Sequence, residues 1–369
     1  MRGQWIGRYQ GSNTGFAVLD IDEVDDHFEG HASFYEDRAD VPPTYAAIRT
    51  TDKARKFQLT VDLIPLHPAT SEAITWSDVQ RHWPNVPFSR RGDVQGEWDE
   101  QQLSLKWETD LKLAGTATFS RSKARDPSEY KALNVNSWEE FRQFAQTLEH
   151  YRYMYRGQEN NRWRLQTGFH RMGRADLIKF LRRDVAVLHQ QLSNVTSHAF
   201  NLSNPIEHGA FVNLVQHHGY PTPLLDWTYS PFIGAYFAFN DLSRAETESD
   251  QKVRIFVFDR GQWCGDFYQL QKLSPAKPHF SILDALAINN PRLVPQQALS
   301  SVTNVDDIEG YIKQRETERG RTYLQVIDLP ARERRVVMRE LSLMGITAAS
   351  LFPGIDGTCK QLRARFFED

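Results

Sequence analysis

The chain has 369 residues, a formal net charge of −3 and only two cysteines, Cys264 and Cys359. The near-neutral charge gives no overall attraction for nucleic acid or membranes, and two unrelated cysteines argue against a disulfide framework or a cysteine-based zinc site. No stretch of about 18 apolar residues suits a spanning helix and no signal-peptide core is present, so we expect a cytoplasmic protein. The length predicts two domains, at about 100–200 residues each.

Residues 1–121 are predicted to form an all-β domain. Apolar residues alternate with polar ones at Phe57, Leu59 and Val61, and similar patterns recur on both sides of this segment. Such alternation is typical of strands with one buried face, so we predict a barrel or a sandwich. The opening Gly3-Gln4-Trp5 resembles the start of lipocalin-like barrels. Two interpretations remain, a barrel with a ligand pocket and a solid barrel that docks on the next domain, and we favour the second.

Residues 122–136 are predicted to form a linker, and residues 137–369 an α+β domain. Ser137 begins a capping-box pattern for a helix, the run Tyr153–Arg156 is β-prone, and the apolar run 253–258 fits a buried strand. Mixed helix and strand signals of this kind predict an α+β fold.

The segment 216–231, QHHGYPTPLLDWTYSP, contains the densest collection of chemically active side chains. We expect a turn-rich loop between two buried helices, 205–218 and 231–239, because such a loop presents polar residues at a cleft. The predicted cap and stop residues are Ser203, Gly219 and Ser230. Free N–H groups after Ser230 would also form an anion site.

Several of these residues allow more than one interpretation. Arg156 is either paired with an acid such as Asp226 or is a fixed cation that grips phosphate or carboxylate, with Gly157 allowing a ligand close approach. His217 and His218 project differently from a helix end, so we predict no metal site. One histidine should be buried, and the other should contact substrate or Asp226. Asp226 itself is expected first as a turn acceptor for backbone N–H groups.

The sequence lacks a Gly-x-Ser-x-Gly elbow and a Walker-type loop. These absences disfavour a serine hydrolase and a P-loop nucleotide hydrolase.

Four separated motifs resemble the FRG domain, a family named for a Phe/Tyr-Arg-Gly motif. They are Met154–Gln158 with Trp163 and Leu165, the stretch from Gln216 to Phe239, Arg292–Gln297, and Glu340–Gly354, and together they cover roughly residues 137–366. We expect a nucleotide-binding cleft in this domain. Its expected nucleotide-binding residues are Tyr155, Gly157, Gln158, His217, His218, Thr222, Asp226, Trp227 and Thr228.

The order Arg156, Ser230, Gln296 resembles the Arg-Ser-Glu class of ADP-ribosyltransferases. This resemblance implies catalytic roles: Arg156 holds the dinucleotide phosphates, Ser230 orders the nicotinamide ribose, and Gln296 steadies the ribose as nicotinamide leaves. Glu309 or Glu316 could replace Gln296 in the third role. The chemistry passes through an oxocarbenium-like cation, which needs positioning and a nearby polar oxygen. It requires Arg156 and Ser230 to face each other across a solvent-reachable pocket.

The leading hypothesis is therefore an ADP-ribosyltransferase or NAD-consuming effector, with NAD as substrate and a protein or nucleic acid as acceptor. A role in bacterial antiviral or toxin systems would suit it, with the N-terminal domain sensing a protein or ligand trigger and no membrane involved. The alternatives are a scaffold whose β domain captures a protein, and a non-enzymatic nucleotide or nucleic-acid binding module. Support for the last is the basic run Arg162, Arg164, Arg171, Arg174, Lys179, Arg182 and Arg183.

Overall fold

One antiparallel sheet dominates the first 120 residues. The computed structural model describes residues 1–38, 41–273 and 275–368. The strands of this sheet are β1 (Gly3–Gly11), β2 (Gly15–Glu23), β3 (Phe28–Glu36), β4 (Thr44–Arg49), β5 (Lys56–Asp62), β6 (Ile64–Pro65), β7 (Arg91–Trp98), β8 (Gln102–Thr109) and β9 (Ala114–Ser120). Their order is β5-β7-β8-β9-β1-β2-β3-β4-β6, and β4 and β5 meet side by side without pairing. The sheet is thus a nearly closed barrel, as predicted.

The barrel interior is filled by side chains. Trp5, Leu19, Phe28 and Phe119 are buried in one apolar cluster. The cavity that remains has about 30 Å³ and only apolar lining residues, which is room for about one water molecule. This interior agrees with the solid-barrel interpretation.

A second antiparallel sheet forms the core of the C-terminal region, which is α+β as predicted. Its strands are β10 (Tyr153–Gln158), β11 (Leu224–Thr228), β12 (Lys252–Asp259), β13 (Phe280–Leu283), β14 (Ala298–Thr303) and β15 (Leu324–Pro330), in the order β13-β14-β11-β10-β12-β15. Strand β10 pairs with β12 along its whole length, but it pairs with β11 only at Tyr155 and Thr228. The sheet therefore consists of two three-stranded halves joined at one residue pair. We call the gap between β10 and β11 beyond this pair the strand split.

Helices cover both faces of the second sheet. One helix, α1 (Trp76–His82), belongs to the barrel region. The helices after the barrel are α2 (Trp138–Thr147), α3 (Gly168–Arg171), α4 (Leu177–Lys179), α5 (Val185–Leu192), α6 (Pro205–His217), α7 (Pro231–Phe239), α8 (Arg244–Thr247), α9 (Arg260–Asp266), α10 (Ile308–Arg319), α11 (Arg334–Leu343), α12 (Ala348–Leu351) and α13 (Ile355–Arg363), with π-helical turns at Phe180–Asp184 and Ala364–Glu368 and a 3₁₀ turn at Ala331–Glu333. Helices α7 and α11 share one core with Tyr155 and Val257, whereas α9 and α10 pack with Met154 and Phe258 on the opposite face. In the described residues no helix is both long and apolar enough to cross a bilayer.

Two local expectations for the central segment were wrong. The first helix is capped by Asn204 rather than Ser203, because the Asn204 side chain accepts the Ile206 N–H. The stretch expected as a loop contains β11, whose residues Leu225 and Trp227 are buried in the sheet core. The expected end of the first helix is confirmed, since Gly219 has a φ of +89°.

The two regions are packed against each other. The Gln4 side chain of the barrel donates to the Asn304 carbonyl at 2.6 Å and accepts the Asp306 N–H at 3.0 Å. Segment 122–136 contains no helix or strand, but it lies along the second sheet, where the Leu133 N–H donates to the Val326 carbonyl at 2.9 Å. The barrel is thus held directly against the α+β region.

Candidate functional site

Strand β10 and helix α7 approach each other unusually closely at Gly157. A Cβ atom on Gly157 would overlap the Gly234 carbonyl oxygen and would lie 2.5 Å from the Ala238 nitrogen. The expected ligand approach at Gly157 is therefore ruled out, because helix α7 occupies that space. Since neighbouring strand residues point to opposite sides, Arg156 points away from α7.

The Arg156 side chain lies in the strand split. Its Nη1 donates to the Asp226 carbonyl oxygen at 2.7 Å, on the strand that β10 fails to pair with there. Its Nε is buried and has no hydrogen-bond partner in the described structure. Within the described residues no carboxylate oxygen lies within 4.0 Å of the guanidinium. Arg156 thus contacts the Asp226 backbone and forms no ion pair with its carboxylate.

A second arginine adds to the positive charge of the cleft. Burial lowers the pKa of Arg156 to about 10, the Asp226 charge acts in the opposite direction, and Arg171 lowers the pKa further. Burial also lowers the pKa of Arg171, and Asp226 again opposes the shift. The two guanidinium groups of Arg156 and Arg171 therefore share the nearby Asp226 carboxylate. We call the space around these three side chains, beside the strand split, the cleft, and the three together have a net positive charge. Strongly perturbed charges in a cleft are typical of ligand-binding sites.

Asp226 lies above a network of polar side chains. Its Oδ1 accepts hydrogen bonds from Gln216 Nε2 and from the Ser300 hydroxyl at 3.4 Å. Ser300 in turn accepts a hydrogen bond from Asn213 Nδ2 at 2.8 Å. The Asp226 side chain is 40% exposed, and its Oδ2 accepts no hydrogen bond from the described residues. The expectation that Asp226 is a turn acceptor was wrong, because it lies within β11 and binds side-chain donors.

The two histidines have different environments, and the buried one lies near Asp226, where the other one was expected. The His217 side chain is 6% exposed, and its Nε2 lies 3.8 Å from Asp226 Oδ1. Its Nδ1 contacts the Asn290 side-chain amide. His218 is exposed, and burial, Arg292 and His217 together lower its pKa. His217 therefore lies next to the Asp226 carboxylate on the buried side, while His218 is exposed to solvent.

The structure does not bring Arg156 and Ser230 together. In the antiparallel register set by Tyr155 and Thr228, the two residues are three positions apart, which is about 10 Å along the strands. Ser230 is the N-cap of α7 and its Oγ accepts the Ile233 N–H at 3.3 Å, so the helix start expected as an anion site is capped by its own serine. Arg156 lies on the opposite side of β10 from this helix.

Gln296 is buried and already hydrogen-bonded. Its Nε2 donates to the Leu351 carbonyl at 3.0 Å, and its backbone carbonyl accepts a hydrogen bond from the Thr228 hydroxyl at 2.8 Å. The two acids considered as replacements also have other contacts. Glu309 is buried and accepts the Leu165 N–H at 2.9 Å, and Glu316 accepts the Tyr323 N–H at 2.7 Å.

Most of the remaining expected nucleotide-binding residues belong to the scaffold of the site. Tyr155 and Trp227 are buried in the two sheet cores. Thr222 is fully buried and donates to Gln216 Oε1, which fixes the amide that binds Asp226. Gln158, on the strand beyond Arg156, has a buried Oε1 without a hydrogen-bond partner in the described structure.

Three other features of the molecule carry less chemistry. Of the seven residues of the basic run, Arg164, Arg174 and Lys179 form ion pairs, with Asp307 at 2.7 Å, with Asp22 at 2.9 Å and with Glu29. No group of three or more His, Cys, Asp or Glu side chains that could hold a metal ion occurs in the part of the chain described. The barrel has an open depression of about 670 Å³ beside Lys56.

Sequence reasoning missed part of the network beneath Asp226. Asn213 and Asn290 are both buried and hydrogen-bonded to each other at 2.8 Å. The sequence did contain one signal for this network. Asn213 is a polar residue on the otherwise apolar face of α6, and a buried amide indicates that polar partners lie beside it.

A family model of the FRG domain matches residues 151–247. This range contains β10, β11 and α3 to α8, and with them Arg156, Arg171, Gln216 and Asp226. None of the curated proteins and none of the solved structures gives a significant match to the chain. The chain therefore contains an FRG domain, and the strand split lies within it.

Proposed function

We propose that the FRG domain binds NAD in the strand split and cleaves the bond between nicotinamide and ribose, with Asp226 in place of Ser230 and Gln296, because the expected Arg-Ser-Glu arrangement is not formed. The observation that carries this proposal is the Arg156 guanidinium, whose Nε is buried without a hydrogen-bond partner and which forms no ion pair within the described residues. Arg156 and Arg171 share the nearby carboxylate of Asp226, and a pyrophosphate would supply the missing charge and acceptors. Arg171 would bind the same anion from the opposite wall, as planar guanidinium groups favour phosphate oxygens.

Asp226 is the residue we assign to the reacting ribose. When the bond from ribose C1′ to the nicotinamide nitrogen breaks, its electron pair stays with nicotinamide, and positive charge develops on the ribose. A carboxylate facing that charge stabilises it, and Asp226 has one oxygen fixed by Gln216 and Ser300 while the other is not bound by the described side chains. Water or an acceptor nucleophile then adds to C1′ and loses a proton.

In this proposal the barrel senses a trigger and the FRG domain is the effector. An NAD-consuming effector of this design would suit a bacterial antiviral or toxin system, where loss of NAD stops growth of the cell. The filled interior of the barrel supports this division of roles, because it leaves little room for a ligand inside. The barrel would therefore recognise its trigger through its outer surface or through its contact with the FRG domain.

The test is incubation of the purified full-length protein with NAD, followed by chromatography for nicotinamide and ADP-ribose. We expect turnover by the wild type. Asp226→Asn should reduce turnover at least about 100-fold, as loss of one electrostatic group at a reacting centre does, with little change in NAD affinity. Asp284→Asn, at a carboxylate whose side chain is 61% exposed outside the cleft, is the matched control. Equal turnover by the wild type and Asp226→Asn would refute the assignment.

Binding without turnover would instead support the alternative of a non-enzymatic nucleotide module. Isothermal titration with NAD and with ADP-ribose separates these outcomes. If neither compound binds at millimolar concentration, the proposal is wrong.

A further inference from the structure

Residues 167–176 form a short segment that touches both the cleft and the barrel, and we call it the strap. It starts at Thr167, whose hydroxyl caps α3, and ends at Asp176, whose carboxylate caps α4. The strap contains Arg171, so it carries one of the two cations of the cleft. Any movement of the strap therefore changes the charge available to an anionic ligand.

The cleft end of the strap is fixed to the segment before β11. The Phe169 N–H donates to the Thr222 carbonyl at 3.1 Å, and a Cβ on Gly168 would lie 3.4 Å from the Pro221 Cα. The Thr222 hydroxyl binds Gln216, which binds Asp226. This end is thus connected to the carboxylate of the cleft by backbone and side-chain hydrogen bonds.

The barrel end of the strap is bound by a single carboxylate of strand β2. Asp22 is 4% exposed, and its Oδ1 accepts the N–H groups of Ala175 at 2.6 Å and of Asp176 at 3.1 Å. Its Oδ2 accepts a hydrogen bond from Arg174 Nε at 2.9 Å. His31 on β3 adds a contact to the Asp176 carboxylate at 2.9 Å.

Between these two ends the strap has little freedom to adjust. Gly173 has a φ of +80°, and a Cβ there would lie 3.2 Å from the side chains of both Arg2 and Arg125. His170 is buried, its Nδ1 contacts the Thr167 hydroxyl at 2.7 Å, and its side chain anchors the middle of the strap. Only Met172 and Gly173 separate Arg171 from Arg174.

We infer that Asp22 is a positioning residue for the ligand cleft, acting through the strap on Arg171. The barrel thereby contributes to anion binding without touching the ligand, and a trigger that displaces Asp22 would release Arg171 from its position. This inference rests on the proposed function for its ligand, and it names the route by which the barrel regulates the site.

The test uses NAD and inorganic pyrophosphate as probes of the full-length protein. Asp22→Asn keeps the side-chain shape but weakens all three hydrogen bonds, and we expect both probes to bind about 10-fold more weakly. Arg171→Ala should weaken binding at least as much. If Asp22 acts through Arg171, the double variant will bind like Arg171→Ala alone, whereas a merely structural role would add a further loss. An affinity unchanged by Asp22→Asn, or losses that multiply in the double variant, would overturn the inference.

Glu29→Gln is the matched control. It removes another charge between the barrel and the FRG domain, but its partner Lys179 lies beyond the strap, so we expect unchanged affinity. If Asp22→Asn does not fold, Arg174→Gln removes the side-chain part of the same contact together with the ion pair to Asp184. Asp184→Asn then serves as its control, because it removes the Asp184 part alone, and the same outcomes apply to the difference between the two variants.

Hydrogen exchange distinguishes failure of this inference from failure of the proposed function. If the wild type binds neither probe, the proposed function is wrong, but Asp22→Asn should still accelerate exchange at residues 168–172 relative to Glu29→Gln. Faster exchange confined to residues 175 and 176 would show that Asp22 does not control the cleft.

Discussion

Replacing Arg156 with methionine is expected to weaken ligand binding and to leave protein stability nearly unchanged. Methionine has a similar length and no charge, so it fills the strand split without the guanidinium. If Arg156 served the fold, this variant would be clearly destabilised. If it serves a ligand, the variant will bind less tightly and remain about as stable.

The magnitudes follow from the contacts of the guanidinium. Its Nε is buried without a partner, which costs about 1–3 kcal/mol that methionine would not incur. The variant also loses the hydrogen bond from the charged guanidinium to the Asp226 carbonyl, which is worth about 1.5–3 kcal/mol. These two contributions nearly cancel, so we expect the free energy of unfolding to change by less than about 2 kcal/mol. A hydrogen bond from a charged donor to a phosphate contributes about 1.5–3 kcal/mol, so affinity should fall about 10- to 150-fold.

Arg254 supplies a matched control in the neighbouring strand. It is 3% exposed and forms two hydrogen bonds with the Asp328 carboxylate, at 2.7 and 2.9 Å. Arg254→Met leaves that carboxylate buried without its cation, which should lower the free energy of unfolding by about 3–5 kcal/mol. Arg254 forms a direct ion pair with a carboxylate of the protein, whereas Arg156 forms none within the described residues.

Urea unfolding followed by tryptophan fluorescence measures stability, and isothermal titration with NAD and pyrophosphate measures affinity. A loss of more than about 2 kcal/mol in Arg156→Met would show that the guanidinium contributes to the fold. Unchanged affinity for both ligands would refute the reasoning about the strand split.

Three further predictions concern packing, capping and pH. Gly157→Ala should lower the free energy of unfolding by about 1–3 kcal/mol or more in a denaturant titration, because its Cβ meets α7 backbone; Gly265→Ala, with no atom within 4 Å of the new Cβ, should not. Ser230→Ala should cost about 1 kcal/mol as a lost cap while NAD turnover persists; loss of turnover would instead support the catalytic role. Burial raises the pKa of Asp306 from 3.8 to about 7, with Ser122 opposing and Asp307 adding to the shift. The folded state therefore binds this proton more tightly, and its contribution to stability is complete below about pH 4 and is lost as the pH rises through about 7. Asp306→Asn should remove this dependence of the free energy of unfolding on pH, which amounts to at most about 4 kcal/mol between pH 4 and 8. Thermal melts over this range measure it, and an unchanged pH dependence would refute the assignment.

The fold class could be predicted because the barrel and the second sheet have different periodicities. Phe57, Leu59 and Val61 alternate because only one face of their strand is buried. The run from Val253 to Phe258 is almost continuously apolar because helices cover both faces of β12. In each case the pattern follows from local burial, which a single segment of sequence records.

The site could be predicted only in part, because its chemistry depends on pairing between distant strands. The motif around Arg156 was recognisable, but the single pair between Tyr155 and Thr228 that leaves the split open is a tertiary property. Strand β11 was hidden by its flanking Pro223 and by the polar Asp226 at its centre. The support of Asp226 by Ser300 joins residues 74 positions apart, which no local pattern contains.

The order of Arg156 and Gly157 links packing to ligand binding through the alternation of a β-strand. Gly157 must lie under α7 because any larger side chain would meet the helix backbone. The residue before it then points to the other side of the strand, and β11 has already diverged there, so a long cationic side chain enters the split. A change at Gly157 can thus affect the ligand only through the packing of α7, whereas a change at Arg156 affects the ligand and leaves that packing intact. We therefore expect Gly157→Ala to change stability and Arg156→Met to change ligand affinity. Measuring both properties in both variants tests this expectation directly.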